Sequence, residues 1–142
     1  MREGSSRRRA SCSGVDASTE TLWALHTDVS AWPSWNAGID KAHLPGNFAE
    51  GSVFDWETAG LSISSTIMEV RPLRRTAWGG PAHGIEGVHI WTFEPTTDGT
   101  AVTTIESWAG APVEADPEGM RAALERSLLD WLEALKTAAE RS

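Results

Sequence analysis

The chain of 142 residues has no tyrosine and only one cysteine. It also has no apolar run approaching the ~18 residues of a membrane-spanning helix. Each absence excludes something. Without tyrosine there is no phenolic hydroxyl to act as acid, base or oxyanion donor. A lone Cys12 rules out an internal disulfide framework and any multi-cysteine zinc cluster. No histidine lies close to it in sequence, so it reads as a reduced, inert thiol. The four histidines fall at positions 26, 43, 83 and 89, with no HxH or HExxH spacing, so no metal is expected. No glycine-rich loop opens a helix, so no phosphate-binding cofactor is expected either.

Positive charge is also scarce. Lysine and arginine total 12 against 20 acidic residues, a formal net charge of −8. Four of the basic residues, Arg2, Arg7, Arg8 and Arg9, crowd the first nine positions beside a single acid, Glu3, leaving 8 basic against 19 acidic in the rest. An acidic body repels phosphate backbones, which argues against a nucleic-acid partner. Residues 1–8 read as a basic flexible arm, and residues 9–142 as one domain. Arg7-Arg8-Arg9 lacks the apolar segment of an export signal, so the expected location is the cytoplasm, with no stable membrane insertion. The oligomeric expectation is a monomer or homodimer.

Tryptophan, by contrast, is abundant: 8 Trp accompany 3 Phe. The chain opens with a modest strand over residues 9–16. Ser18 is placed to cap a helix carrying Leu22, Trp23, Leu25 and His26. Trp32-Pro33-Ser34-Trp35 reads as a second short helix with proline in its first turn. From residue 53 the period becomes two. Strands are predicted at 53–58, 61–70, 76–78, 85–94 and 100–108, with Gly79-Gly80-Pro81 as a closing turn. Gly110, Pro112 and Pro117 mark a loop. From Glu118 on, Met120, Leu124, Leu128, Trp131, Leu132 and Leu135 form one helical stripe. Such a stripe needs a surface, and the antiparallel sheet is the large one available. The result is an α+β architecture: a curved antiparallel sheet wrapped around a long C-terminal helix, with two short helices after the first strand.

The 85–108 hairpin can be read in two registers. If Asp98-Gly99 is a two-residue turn, His89 faces Trp108 and Trp91 faces Glu106. If Thr96 to Gly99 form the loop, His89 faces Glu106 and Trp91 faces Thr104. Either register places His89, Trp91, Phe93, Val102, Glu106 and Trp108 on one aromatic face. Glu106 then lies within reach of an imidazole or an indole. Three roles stay open for it: a structural tie, a polar anchor for a ligand, or a general acid–base with His89. Trp56, Trp78, Trp91 and Trp108 come from four strands, and Trp35 and Trp131 from helices. Aromatic walls of this kind suit flat or polycyclic ligands, although rings that fill the core leave no space for one.

Several pieces, in this order and spacing, carry a family resemblance. They are Leu22-Trp23 with Asp28, Trp32-x-x-Trp35-Asn36 and Gly51-x-x-Phe54-x-Trp56. They continue as Val70-x-Pro72 with Trp78-x-Gly80, Gly87-x-His89-x-Trp91-x-Phe93, and Gly99-Thr100-x-Val102-x-x-x-Glu106-x-Trp108-x-Gly110. Together they resemble the polyketide cyclase/dehydrase branch of the START-like (SRPBCC, Bet v 1-like) superfamily over residues 9–140. The resemblance implies a helix-grip fold with a hydrophobic cavity between sheet and long helix. The aromatic residues themselves supply the candidate ligand-binding set for a hydrophobic, cyclic molecule: Trp35, Phe54, Trp56, Trp78, Trp91, Phe93, Trp108 and Trp131. Chemistry, where there is any, would be a cofactor-independent cyclisation, dehydration or aromatisation with Glu106 and His89 as catalytic groups. A lipid or quinone carrier and a protein-interaction module of the same fold remain open alternatives.

Overall fold

The computed structural model describes residues 5–142. The chain enters as β1 (Ser5–Val15), followed by α1 (Thr19–Thr27) and a 3-10 helix (Val29–Ser34). Six further strands follow: β2 (Lys41–His43), β3 (Val53–Thr58), β4 (Leu61–Arg71), β5 (Arg75–Ala82), β6 (Ile85–Thr96) and β7 (Gly99–Ala109). A short α2 (Ala111–Ala115) leads into α3 (Pro117–Glu140). All strands pair antiparallel in one seven-stranded sheet, ordered β1-β7-β6-β5-β4-β3-β2. Closing the chain's first strand onto its last places β1 beside β7, and α3 packs along β1 with support from α1 and β7. This is the expected helix-grip α+β arrangement.

Local chemistry explains most of the boundaries. The Ser18 hydroxyl accepts the Thr21 amide at 3.1 Å and so caps α1. Ser18→Ala is expected to cost about 1 kcal/mol, read from the urea midpoint at unchanged slope. Asp116 caps α3 through the Gly119 amide at 3.1 Å, with Pro117 in the first turn, where its missing N–H costs nothing. Leu124, Leu128, Trp131, Leu132, Leu135 and Ala139 are the buried stripe of that helix. Met120, the first residue of the predicted stripe, is only half-buried.

Four boundaries differ from the sequence expectation. First, β1 begins at Ser5, so Arg7, Arg8 and Arg9 lie in a strand; residues 1–4 of the expected arm fall outside the described residues. Arg8, Ala10 and Cys12 are half-buried while Arg7, Arg9 and Ser11 are exposed, a true period of two that polar side chains conceal. Second, β5 runs through Gly79-Gly80-Pro81, and the turn falls at His83-Gly84, both at positive φ. A Cβ on Gly79 would meet the Gly87 carbonyl oxygen at 2.1 Å, so glycine here permits close strand approach. Third, Trp32 and Pro33 lie within the 3-10 helix that starts at Val29, and Trp35 closes it. Fourth, α2 occupies a stretch expected to be a loop, and β2 adds a short edge strand that the sequence expectation does not include.

The hairpin takes the second register: Thr96 pairs with Gly99, His89 with Glu106 and Trp91 with Thr104. The turn residues are therefore Thr97 and Asp98. Gly99 is spent elsewhere, because a Cβ there would meet the Val15 carbonyl oxygen at 2.0 Å.

Candidate functional site

The alternation of β3 to β7 sends one set of side chains toward α3. Part of that space is filled. Trp32, Trp78, Trp91, Phe54 and Phe93 are the largest fully buried side chains. Trp32 sits at the centre of a ring cluster, 5.4 Å from Phe54, 5.7 Å from Trp78 and 5.3 Å from Trp131, mostly in edge-on geometry. Its indole N–H donates to the His26 carbonyl at 3.0 Å. The rest of the space is a cavity of about 470 Å³.

The cavity floor is Trp56, Trp78, Trp131, His89 and Glu106; Ile63, Ser65 and Trp108 extend the walls. Its mouth lies between the β3–β4 and β5–β6 turns and one side of α3, where Arg126, Ser127 and Asp130 face it. Of the eight residues expected to hold a ligand, Trp56, Trp78, Trp108 and Trp131 line this space. Phe54, Trp91 and Phe93 are core instead, at 0–2% exposure. They share the inward face, but α1 and the 3-10 helix cover their end of the sheet. Phe93 meets Trp23 and His26, and Trp91 meets His26. Trp35 packs half-buried against the core and does not line the cavity.

The two expected chemical groups meet. His89 Nδ1 lies 3.8 Å from Glu106 Oε1, with the side chains 2% and 14% exposed. The Trp108 indole donates to Glu106 Oε2 at 3.0 Å. Burial pushes the Glu106 carboxyl up to about 7, against the pull of that indole bond. Burial also holds His89 well below the usual imidazole range, with the neighbouring His26 acting the same way. At neutral pH the pair is an uncharged imidazole beside a half-protonated acid, a state suited to donating or accepting a proton.

Several contributing residues are not among those expected to form the site. His26 is completely buried, bonds Thr76 at 2.7 Å, and is pushed down to about 3 by burial. Asn36 lines the cavity with its carbonyl oxygen already bonded to the Gly38 amide. Ser65 accepts the Trp56 indole N–H at 3.1 Å. Arg126 makes no salt bridge among the described residues. A serine or arginine within a period-two strand or an amphipathic helix is ordinary, and only the facing element reveals its use. Among the described residues, no three of His, Cys, Asp and Glu are grouped to hold a metal, and no helix is long and apolar enough to cross a membrane.

A curved sheet gripping a helix over an aromatic cavity defines a helix-grip protein. The chain belongs to the polyketide cyclase/dehydrase and lipid transport family, whose profile matches residues 13–140. No curated protein matches it in sequence. Its fold is shared with the aromatase/cyclase ZhuI from Streptomyces sp. R1128, at 18% identity and a TM-score of 0.78, covering 96% of this chain and 93% of that one. A START superfamily protein from Mycobacterium smegmatis superposes at a TM-score of 0.73 and 12% identity, covering 97% and 98%. The di-domain aromatase/cyclase StfQ of the steffimycin biosynthetic pathway is similar at a TM-score of 0.80 and 14% identity. There the match covers 98% of this chain and 52% of StfQ.

Proposed function

We propose that this protein binds a hydrophobic, cyclic small molecule in the cavity between the sheet and α3, and moves a proton on it without a cofactor. One observation carries the reading: a buried imidazole and a half-buried carboxyl stand 3.8 Å apart in an aromatic-walled cavity. A volume of about 470 Å³ falls within the range of roughly 300–1,000 Å³ typical of small-molecule sites. Flat rings gain area and edge contacts against Trp56, Trp78, Trp108 and Trp131. An enolisable or hydroxylated ring would meet Glu106 and His89 at the floor. Family membership and the likeness to aromatase/cyclases support the same reading. The formal net charge of −8 supports a partner other than nucleic acid. The setting proposed is the cytoplasm, as a monomer or homodimer.

Tryptophan fluorescence tests binding. The titrants are polycyclic aromatics, polyketide-like phenols, quinones and fatty acids. Saturable quenching by one cyclic class is expected. Trp108→Phe should weaken it about tenfold, the scale of one aromatic contact plus lost area. Trp91→Phe, a core change, should leave the affinity within about twofold. A flat response from folded protein across the whole panel removes the small-molecule reading. Turnover by the wild type that is lost in Glu106→Gln, with binding kept, supports proton transfer. Binding without turnover assigns a carrier.

A further inference from the structure

The hydroxyl of Thr104 makes two hydrogen bonds. It donates to the Ile90 carbonyl at 3.1 Å and lies 2.7 Å from His89 Nε2. A hydroxyl has one proton. With that proton on Ile90, Thr104 can only accept from His89, so Nε2 carries the hydrogen. A neutral imidazole has one N–H, which leaves Nδ1 as a bare lone pair. Nδ1 is buried with no hydrogen-bond partner and faces Glu106 Oε1 at 3.8 Å. The ring is caged by Trp78, Trp91 and Trp131, with centroids at 4.6, 5.1 and 5.2 Å, so it has no free rotation to water.

We infer that Thr104 is a positioning residue: it denies Glu106 the one histidine tautomer that would stabilise its carboxylate, and so keeps the proton of the pair on the acid. An ionised Glu106 would set an oxygen lone pair against a nitrogen lone pair. A protonated Oε1 instead points a donor at an acceptor, and a small side-chain rotation closes the gap to hydrogen-bond length. Oε2 remains with the Trp108 indole. Below about pH 7 the cavity therefore offers its ligand an uncharged acid.

Apart from Thr104 and Trp108, no group hydrogen-bonds or ion-pairs with the side chain of His89 or Glu106 among the described residues beyond the contact between the two themselves. Arg8 on β1 is the register partner of Glu106 and shares its face, yet makes no salt bridge with it among the described residues. Arg126 and Asp130 on α3 and His83 at the β5–β6 turn lie along the same cavity, toward its mouth. His26, on α1, is neutral down to about pH 3. The inference rests on the geometry of the pair and needs no bound ligand, so its failure and that of the ligand reading are separable.

The test is nitrogen-15 NMR of the His89 ring together with the infrared carboxyl band of Glu106 across pH, on the whole protein. In the wild type, His89 should show a protonated Nε2 and a bare Nδ1. In Thr104→Val the Nε2 acceptor is gone. His89 should switch to the Nδ1–H tautomer, which donates to the Glu106 carboxylate, and the Glu106 titration should move down by at least one pH unit. Thr104→Ser should restore the wild-type titration. An unmoved titration in folded Thr104→Val overturns the inference. So does an Nδ1–H tautomer in the wild type, a measurement that stands even where the valine variant does not fold.

Discussion

Glu106→Gln is expected to stabilise the protein at pH 8 by about 3 kcal/mol more than at pH 4.5, on the order of 10 °C in melting temperature. The folded-state Glu106 carboxyl is raised to about 7 from an ordinary value of 4.5. A group raised on folding contributes stability that is fully present below its unfolded value. That stability is lost as pH climbs toward the folded value. The unfolded chain releases its proton from about pH 4.5 upward, while the folded chain holds on until about 7. Across that window the wild type loses about 1.4 kcal/mol per pH unit from this one residue, and above it the loss is complete. Glutamine is the neutral isostere. Its oxygen accepts from Trp108 and its amide donates toward His89 Nδ1, so the variant keeps the contacts and escapes the titration.

The histidines run the other way and are common to both proteins. His26 is lowered to about 3 and His89 also falls well below 6.5, so each contributes stability above the unfolded value that is lost on acidification. Both curves therefore fall below about pH 6.5. Their difference isolates Glu106: widest at pH 8, shrinking through 7, closed near 4.5. Urea unfolding at half-unit pH intervals reads it directly. Parallel curves would mean that Glu106 is already ionised in the folded protein, and the uncharged-acid account of the site would fall with it.

How much of this was legible beforehand depends on the kind of signal. Period and capping residues suffice for elements with an apolar face: β3, β4, β6, β7, α1 and α3 lie where Phe54 and Trp56, Leu61 to Ile67, and Leu124 to Leu135 put them. They place the start of β1 too late where the alternation is polar: they begin the strand at Arg9, but it already holds Arg7 and Arg8. They fail where glycine serves close approach rather than a turn, as at Gly79. Meeting of His89 and Glu106 followed from one of two registers, and alternation alone does not choose between them, because both keep the same side chains on one face. Cavity and core were harder to separate. Trp91 and His89 share a face, but Trp91 lies under α1 and His89 does not. Two-residue periodicity specifies which way a side chain points, and says nothing about what covers that end of the sheet. Thr104 was invisible as a positioning group because its role exists only through the Ile90 carbonyl and the His89 ring.

Trp131→Ala should produce the other large effect, and one that a ligand can reverse. Trp131 is the largest side chain of the buried stripe of α3 and packs among the aromatic rings of the core. Its ring sits 5.3 Å from Trp32, 5.7 Å from both Trp56 and Trp78, 5.2 Å from His89 and 5.8 Å from Trp91. It is 6% exposed, and its indole N–H is buried without a hydrogen-bond partner, so its contribution is packing alone. Removing it should cost about 3–5 kcal/mol. The space it leaves opens into the existing cavity of about 470 Å³ rather than forming a closed void. A ligand larger than the wild type tolerates should then bind the variant and return about 2.7 kcal/mol at a hundredfold excess over Kd. Leu135→Ala supplies the contrast. Leu135 is buried on the same helix but does not line the cavity, so its loss should be of similar order and should not change which ligands stabilise the protein. Melting curves of the three proteins with bicyclic, tricyclic and tetracyclic aromatics separate the cases. A tetracyclic compound that stabilises Trp131→Ala more than the wild type or Leu135→Ala places the ligand beneath α3. Equal stabilisation of all three places it elsewhere and removes the cavity from the proposed function.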